Sequence, residues 1–324
     1  MSKFKVFLFI IYLPIFIFEL IIFKLFTIKN SSVSYQSMIN YFIITRGWSN
    51  AIIHFFLKKN LLKKNKFDLQ INKLKKNGYL IKKNFFTKKL VLDLKKSLKK
   101  IDGYWIGDKY KSKSKEKLYK KVKAAKFFYT DDDLLKLKPV QEILSNDYLF
   151  NIASKYLDAE PILYNINCWY NFPTKLPDKE AAQLWHFDMD RPKWLKIFIY
   201  LSDCNINNGP HCFVQGTHLN GSISREILNL GYVRIQDKIV NRFYKTKIKE
   251  FNFNEGDLLF EDSRGLHKGK KVTSKNRLMF QIEFTSSLFG NKYNIPSIKK
   301  RDCTNNFYKK VISKRYNYQG IKII

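Results

Sequence analysis

Gln183-Leu184-Trp185-His186-Phe187-Asp188-Met189-Asp190 is the stretch from which the fold of this 324-residue chain can be read. In an extended strand, side chains two residues apart point to one face. His186 and Asp188 then present a ring nitrogen and a carboxylate to a single point, with Phe187 turned away and Asp190 continuing the face toward a substrate. A histidine from a neighbouring strand would complete two histidines and one carboxylate around a metal. That set leaves three coordination positions open, the arrangement of non-heme Fe(II) oxygenases. His211, His218 and His267 are the candidates, three of five histidines in the chain. The competing reading is a hydrogen-bonded His–Asp pair in a jelly roll that has lost its chemistry.

The surrounding sequence reads as strands. ILYNINCWYNF, AAQLWHFDMD, WLKIFIYLSD, HCFVQGTH, FNFNEGDLLFED and RLMFQIEFT carry aromatic and β-branched residues over strand lengths. Turn residues separate them at Asn208-Gly209-Pro210, Glu255-Gly256-Asp257 and Thr273-Ser274-Lys275-Asn276. Short strands without regular helices between them indicate a sandwich or jelly roll rather than a parallel sheet. No Gly-x-Gly-x-x-Gly, phosphate-binding lysine loop or Gly-x-Ser-x-Gly elbow occurs, which disfavours nucleotide and serine-hydrolase readings. His267 follows GDLLFEDSRGL, and Arg277 opens the next strand ten residues later. An arginine there can hold a carboxylate through a two-pronged pair. Asp262 is expected to order the loop before His267, and Asp257 to shape the Glu-Gly-Asp turn.

Taken in order, QLWHFDMD, LKIFIYLSD, NGPHCFVQGTH, GDLLFEDSRGLHKG and NRLMFQIEF resemble the phytanoyl-CoA dioxygenase family of Fe(II)/2-oxoglutarate oxygenases, over about Asp68 to Gly290. The resemblance implies a mainly β fold with flanking helices, a double-stranded β-helix of the cupin-like jelly-roll type. It implies His186, Asp188 and His267 as catalytic iron ligands and Arg277 on the far carboxylate of 2-oxoglutarate. Lys196 and Gln183 become further cofactor-pocket residues, and Asp190 and Trp185 substrate-side residues. The implied reaction consumes dioxygen and 2-oxoglutarate, hydroxylates a small-molecule or lipid-linked substrate, and releases succinate and CO2. Asp188 argues against the halogenase branch, where a small residue replaces the carboxylate. The alternative is a non-catalytic, membrane-associated jelly-roll binding protein.

The formal net charge is +33, with 51 lysines against nine arginines. Lys, Asn, Ile, Phe and Tyr are abundant together, and A/T-rich codons encode all of them. A genomic bias explains the lysine excess more simply than a polyanion, so nucleic acid is not an expected partner. Cys168, Cys204, Cys212 and Cys303 show no metal spacing and read as thiols of a reducing, cytoplasmic compartment.

Four segments are expected: a hydrophobic segment over 1–30, a helical connector over 31–67, the dioxygenase domain over 68–300 and a basic tail over 301–324. Residues 4–26 are apolar enough for a membrane anchor or in-plane helix, and the lysines after them suit a cytoplasmic membrane face. Glu19 inside the run is costly there, and a greasy helix packed on the domain is the other reading. From Asp68 the pattern gives helix, Gly78 as its stop, a strand at Tyr79 to Lys82, and a second helix. Leu69, Ile71 and Leu74 are assigned to the buried face of the first, and Leu90, Leu92, Leu94 and Leu98 to that of the second.

Overall fold

Alternation at period two runs through the two longest strands, Ile162–Asn171 and Arg277–Thr285. Each therefore has one apolar face and one face free for other work. The computed structural model describes residues 13–14, 16–18, 20–21, 32–57, 67–107, 110–118, 124–173, 175, 179, 181–291, 295–312 and 321–324. Among them the strands are β1 (Tyr79–Lys82), β2 (Gly103–Gly107), β3 (Tyr110–Lys111), β4 (Lys126–Tyr129), β5 (Ile162–Asn171), β6 (Trp194–Tyr200), β7 (His211–Val214), β8 (Ile248–Phe251), β9 (Leu258–Glu261), β10 (His267–Gly269), β11 (Arg277–Thr285), β12 (Ser297–Ile298) and β13 (Lys322–Ile323). The helices are α1 (Ser32–Thr45), α2 (Trp48–Leu57), α3 (Asp68–Asn77), α4 (Lys88–Leu98), α5 (Asp131–Leu135), α6 (Lys138–Leu144), α7 (Asp147–Leu157), α8 (Arg225–Asn229), α9 (Asp237–Tyr244) and α10 (Asn305–Ile312).

Eight strands pair in the order β1-β9-β6-β11-β5-β4-β2-β3, and β10-β7-β8 form a second sheet. Every pairing in both sheets is antiparallel. Phe198, Tyr200, Leu259 and Met279 of the large sheet meet Phe213 and Phe251 of the small one in a single cluster, so the two sheets face each other. This is the expected jelly roll. Leu195, Ile197 and Ile199 of β6 and Leu278, Phe280, Ile282 and Phe284 of β11 turn outward, to the main core. Helices α3, α4, α6 and α7 cover that outer face with Ile71, Leu74, Leu94, Ile143, Ile152 and Leu157. Phe307 of α10 and Ile321 reach the same core.

The lead-in folds as read, with two corrections. α3 ends on Gly78 in the left-handed region, whose N–H donates to Leu74 O. Leu69 and Leu92, however, are exposed. Each lies two residues from its nearest buried leucine or isoleucine, about 200° around a helix, so neither shares the buried face. Between β7 and β8 the chain inserts α8 and α9, which the strand-only reading of that region did not contain. The four cysteines are free thiols.

Gly78 has φ +87°, and a Cβ there would lie 2.6 Å from Phe213 Cζ and 2.7 Å from His218 Nδ1. Left-handed backbone plus a clash should cost Gly78→Ala about 2–3 kcal/mol. We expect a lower urea midpoint at unchanged m. A midpoint equal to wild type would show that the turn accommodates a side chain.

The segment read as a connector does structural work at the site. α1 places Ile39 and Phe42 in one cluster with Trp185, Phe187 and Met189, and the Phe42 ring stacks on Phe187 at 5.7 Å. Met38 and Tyr41 share another cluster with Phe16, Leu20, Ile53, Leu57 and Phe289. His54 Nδ1 lies 2.8 Å from Ser286 Oγ, a structural role. No helix among the described residues is long and apolar enough to cross a membrane. Most of residues 4–26, the candidate anchor, lies outside the described residues.

Candidate metal centre

Two reciprocal backbone bonds bring the expected ligands together. His186 N donates to His267 O at 3.0 Å, and His267 N donates to His186 O at 2.8 Å. Asp188 N then donates to Ser263 O at 2.8 Å. The stretch expected as a regular strand is instead an extended run held by isolated bridges. The same-face geometry of residues 186 and 188 survives, and Asp190 is not among the residues that line the cavity beside them.

One ligand atom from each of His186, Asp188 and His267 lies within 4.8 Å of the other two. His186 Nε2 is 3.9 Å from Asp188 Oδ1, and His267 Nε2 is 3.5 Å from Asp188 Oδ2. His186 Nδ1 sits 2.9 Å from Leu184 O, and His267 Nδ1 sits 3.0 Å from Gly265 O. A carbonyl only accepts, so Nδ1 carries the proton in each ring and Nε2 keeps its lone pair. Burial pushes both histidines below the ordinary imidazole range, and His267 pushes His186 further down. Both are neutral near pH 7.

Burial alone would raise the Asp188 carboxyl. The Lys196 ammonium, 2.9 Å from Oδ2, outweighs burial together with the two histidines and holds the group well below the usual carboxylate range. Lys196 Nζ is also 3.6 Å from Glu283 Oε1. Two neutral imidazoles and one ionised carboxylate, their free atoms converging, form a donor set that fits a divalent transition metal. The other two candidate histidines are committed elsewhere. His211 Nε2 is 2.6 Å from Glu261 Oε2, and His218 Nε2 is 2.9 Å from Lys75 O.

A cavity of about 370 Å³ adjoins the triad. One end is cationic. Across β4, β5 and β11 the register aligns Lys126, Asn171 and Arg277 in one row. Arg277 Nη2 donates to Asn171 Oδ1 at 3.0 Å, and Nη1 donates to Gly209 O. Arg277 Nε is buried with no hydrogen-bond partner among the described residues. A Cβ on Gly269 would lie 2.7 Å from Nη2, so bare backbone beside His267 makes room for the guanidinium.

Polar side chains line the other end. Glu283 accepts from Tyr164 Oη at 2.5 Å, from Asn165 Nδ2 at 3.2 Å, and from Gln281 Nε2. With both amide nitrogens committed to Glu283, the carbonyl oxygens of Asn165 and Gln281 are left as acceptors. Asn167 adds a third carboxamide to the lining.

Lys196 and Arg277 line the cavity, but Gln183, Trp185 and Asp190 do not. Trp185 is buried in the cluster beneath α1, with Lys268 Nζ over its ring at 5.2 Å. Gln183 is buried as well. Asp190 accepts from Asn291 Nδ2 at 2.9 Å. Burial, with Asp188 adding to it, raises its carboxyl to about 6. Trp185 bridges Ile235 with its side chain on the face opposite His186, and Asp190 follows the backbone bond of Asp188 to Ser263. The row Asn165, Asn167, Trp169 and Asn171, and the row Arg277, Met279, Gln281 and Glu283, carry a period-two signal that sequence reading could have used. Lys126 and Arg234, also in the lining, carry none.

The family model for phytanoyl-CoA dioxygenase (PhyH) matches residues 74–279. No curated protein matches the chain in sequence. Among solved structures, the non-heme alpha-ketoglutarate-dependent epimerase SnoN from nogalamycin biosynthesis aligns with TM-score 0.51 at 14% identity, covering 68% of this chain and 82% of that one. HygX from Streptomyces hygroscopicus, crystallised with nickel, 2-oxoglutarate and hygromycin B, aligns with TM-score 0.49 at 16% identity, covering 77% and 95%. At such identity the likeness to SnoN is one of fold.

Proposed function

Because this chain belongs to the phytanoyl-CoA dioxygenase (PhyH) family of Fe(II)/2-oxoglutarate-dependent oxygenases, we propose that His186, Asp188 and His267 hold its iron and that Arg277 seats 2-oxoglutarate. The convergence of two unprotonated Nε2 atoms on an ionised carboxylate carries the reading. Bound iron and 2-oxoglutarate supply dioxygen activation coupled to release of succinate and CO2.

The chain's own residues do the rest. Leu184 O and Gly265 O fix the histidine tautomers. Lys196, 2.9 Å from Oδ2, keeps Asp188 ionised, and the carboxylate would serve as the anionic ligand of the metal. Arg277 and Lys126 make one end of the cavity complementary to a carboxylate, and the spare Nε of Arg277 is a donor suited to it. The pinned carbonyls of Asn165 and Gln281 favour a small molecule bearing hydroxyl or ammonium donors, positioned for hydroxylation. A lipid-linked substrate would have to present a polar group to this lining. Three buried free thiols agree with a reducing, cytoplasmic setting.

Replacing Arg277 with Met removes the charge and the fork. We expect KM for 2-oxoglutarate to rise at least about tenfold, as loss of a charge-assisted contact implies, with a smaller change in kcat. An unchanged KM would remove Arg277 from the role.

A further inference from the structure

Helix α2 carries large apolar side chains on both faces. Asn50, Ile53 and Leu57 are buried against the protein. Trp48, Ile52 and Phe55 form the opposite stripe at helical spacing and are 60%, 69% and 71% exposed. A surface helix ordinarily turns polar side chains outward, yet the outward stripe of α2 is apolar. Phe16 and Leu20 pack in one cluster with Ile53 and Leu57, while Phe18 beside them is 62% exposed. The α2 stripe sets three large apolar side chains on one face, more than scattered single residues would.

Charge identifies what covers it. Among residues 1–67 only Glu19 is acidic, and the rest of the chain carries 26 of the 27 carboxylates. Those 67 residues hold ten lysines and arginines, and Lys58, Lys59, Lys63, Lys64 and Lys66 directly follow α2. A genome-wide preference for lysine would not strip carboxylates from one segment and leave them in the remainder. Apolar side chains beside an acid-free basic run match an anionic bilayer surface.

We propose that the face formed by Trp48, Ile52 and Phe55 docks in plane on an anionic lipid bilayer. The apolar side chains enter the acyl boundary, and the acid-poor, lysine-bearing sequence of residues 1–67 favours an anionic headgroup layer. Tryptophan suits that depth, with an apolar ring and one N–H donor. The docked helix is joined to α1, which stacks Phe42 on Phe187 between two of the proposed ligands. Docking therefore holds the cavity near the bilayer surface.

Vesicle co-sedimentation of the full chain tests this at about 0.15 M salt. The probes are phosphatidylcholine vesicles with and without phosphatidylglycerol. Wild type should pellet with the anionic vesicles and far less with the neutral ones. Combined Trp48→Ser, Ile52→Ser and Phe55→Ser should lower partitioning at least about tenfold, with thermal melting and 2-oxoglutarate turnover retained. Replacing the five lysines with Gln should abolish the preference for phosphatidylglycerol. Wild type that stays in the supernatant with both vesicles overturns the proposal. So does a triple-serine variant that pellets like wild type. A concentration-dependent dimer, lost in that variant and without vesicle binding, assigns the face to a second copy instead.

Discussion

Asp188→Ala should lose Fe(II) affinity by more than the roughly 10–100-fold typical of removing a residue that merely supports a ligand. Two effects combine. The carboxylate is the proposed anionic member of the donor set, and without it two neutral imidazoles remain. The substitution also removes the nearest counter-charge of Lys196, whose ammonium is buried 2.9 Å from Oδ2 and then has Glu283, at 3.6 Å, as its nearest carboxylate. A cation at the mouth of the empty ligand position repels a divalent metal. Anaerobic Fe(II) titration checks the first effect, and succinate release under air should fall with it. Asp188→Asn separates charge from shape. If the amide variant binds iron as wild type does, Asp188 is a structural residue and the donor set is wrong.

Asp262→Ala should destabilise the fold by about 3–5 kcal/mol, the cost of leaving a buried charge without its partner. Arg264 donates to Asp262 through Nε at 2.9 Å and through Nη2 at 2.5 Å. Tyr156 Oη of α7 donates to the same carboxylate. Asp262 N donates to Gly78 O at 2.9 Å. The carboxylate thus ties α7 to the loop that delivers His267, and the backbone N–H of the same residue ties in the α3 stop, as the sequence reading expected of it. Burial alone would raise the Asp262 carboxyl, but Arg264 outweighs it and holds the group down at about 2. A carboxyl with a lower pKa folded than unfolded contributes stability above its unfolded value near 3.9. That contribution disappears as pH falls through about 2. Urea midpoints of wild type should therefore drop between about pH 4 and pH 2 by more than those of Asp262→Ala. Equal losses would place the acid sensitivity elsewhere.

The site was legible where chemistry and local geometry coincide. His186 and Asp188 are two residues apart, and backbone bridging to His267 keeps them on one face. The choice among three histidines was not a local matter. It turns on the partners of His211 and His218, Glu261 and Lys75 O, which come from other elements. Asp190 was placed by continuing the alternation past Asp188, where the carboxylate meets Asn291, and Trp185, which bridges Ile235, packs in the α1 cluster. Leu69 and Leu92 show the same limit on helices, where a leucine near others in sequence need not share their face. The contribution of Phe42 lay beyond local reading, because its partner Phe187 is far along the chain. Asn165, Asn167, Gln281 and Glu283 were visible as alternating polar residues in apolar strands, and their facing side becomes functional only once β5 and β11 pair.

Iron-dependent conversion of 2-oxoglutarate to succinate by the purified full chain, under air, tests the central claim most directly. The account predicts succinate in wild type with added Fe(II), none without iron, and loss of at least about a hundredfold in His186→Ala. Succinate release that survives His186→Ala, or wild type that binds neither iron nor 2-oxoglutarate in anaerobic titration, would contradict it.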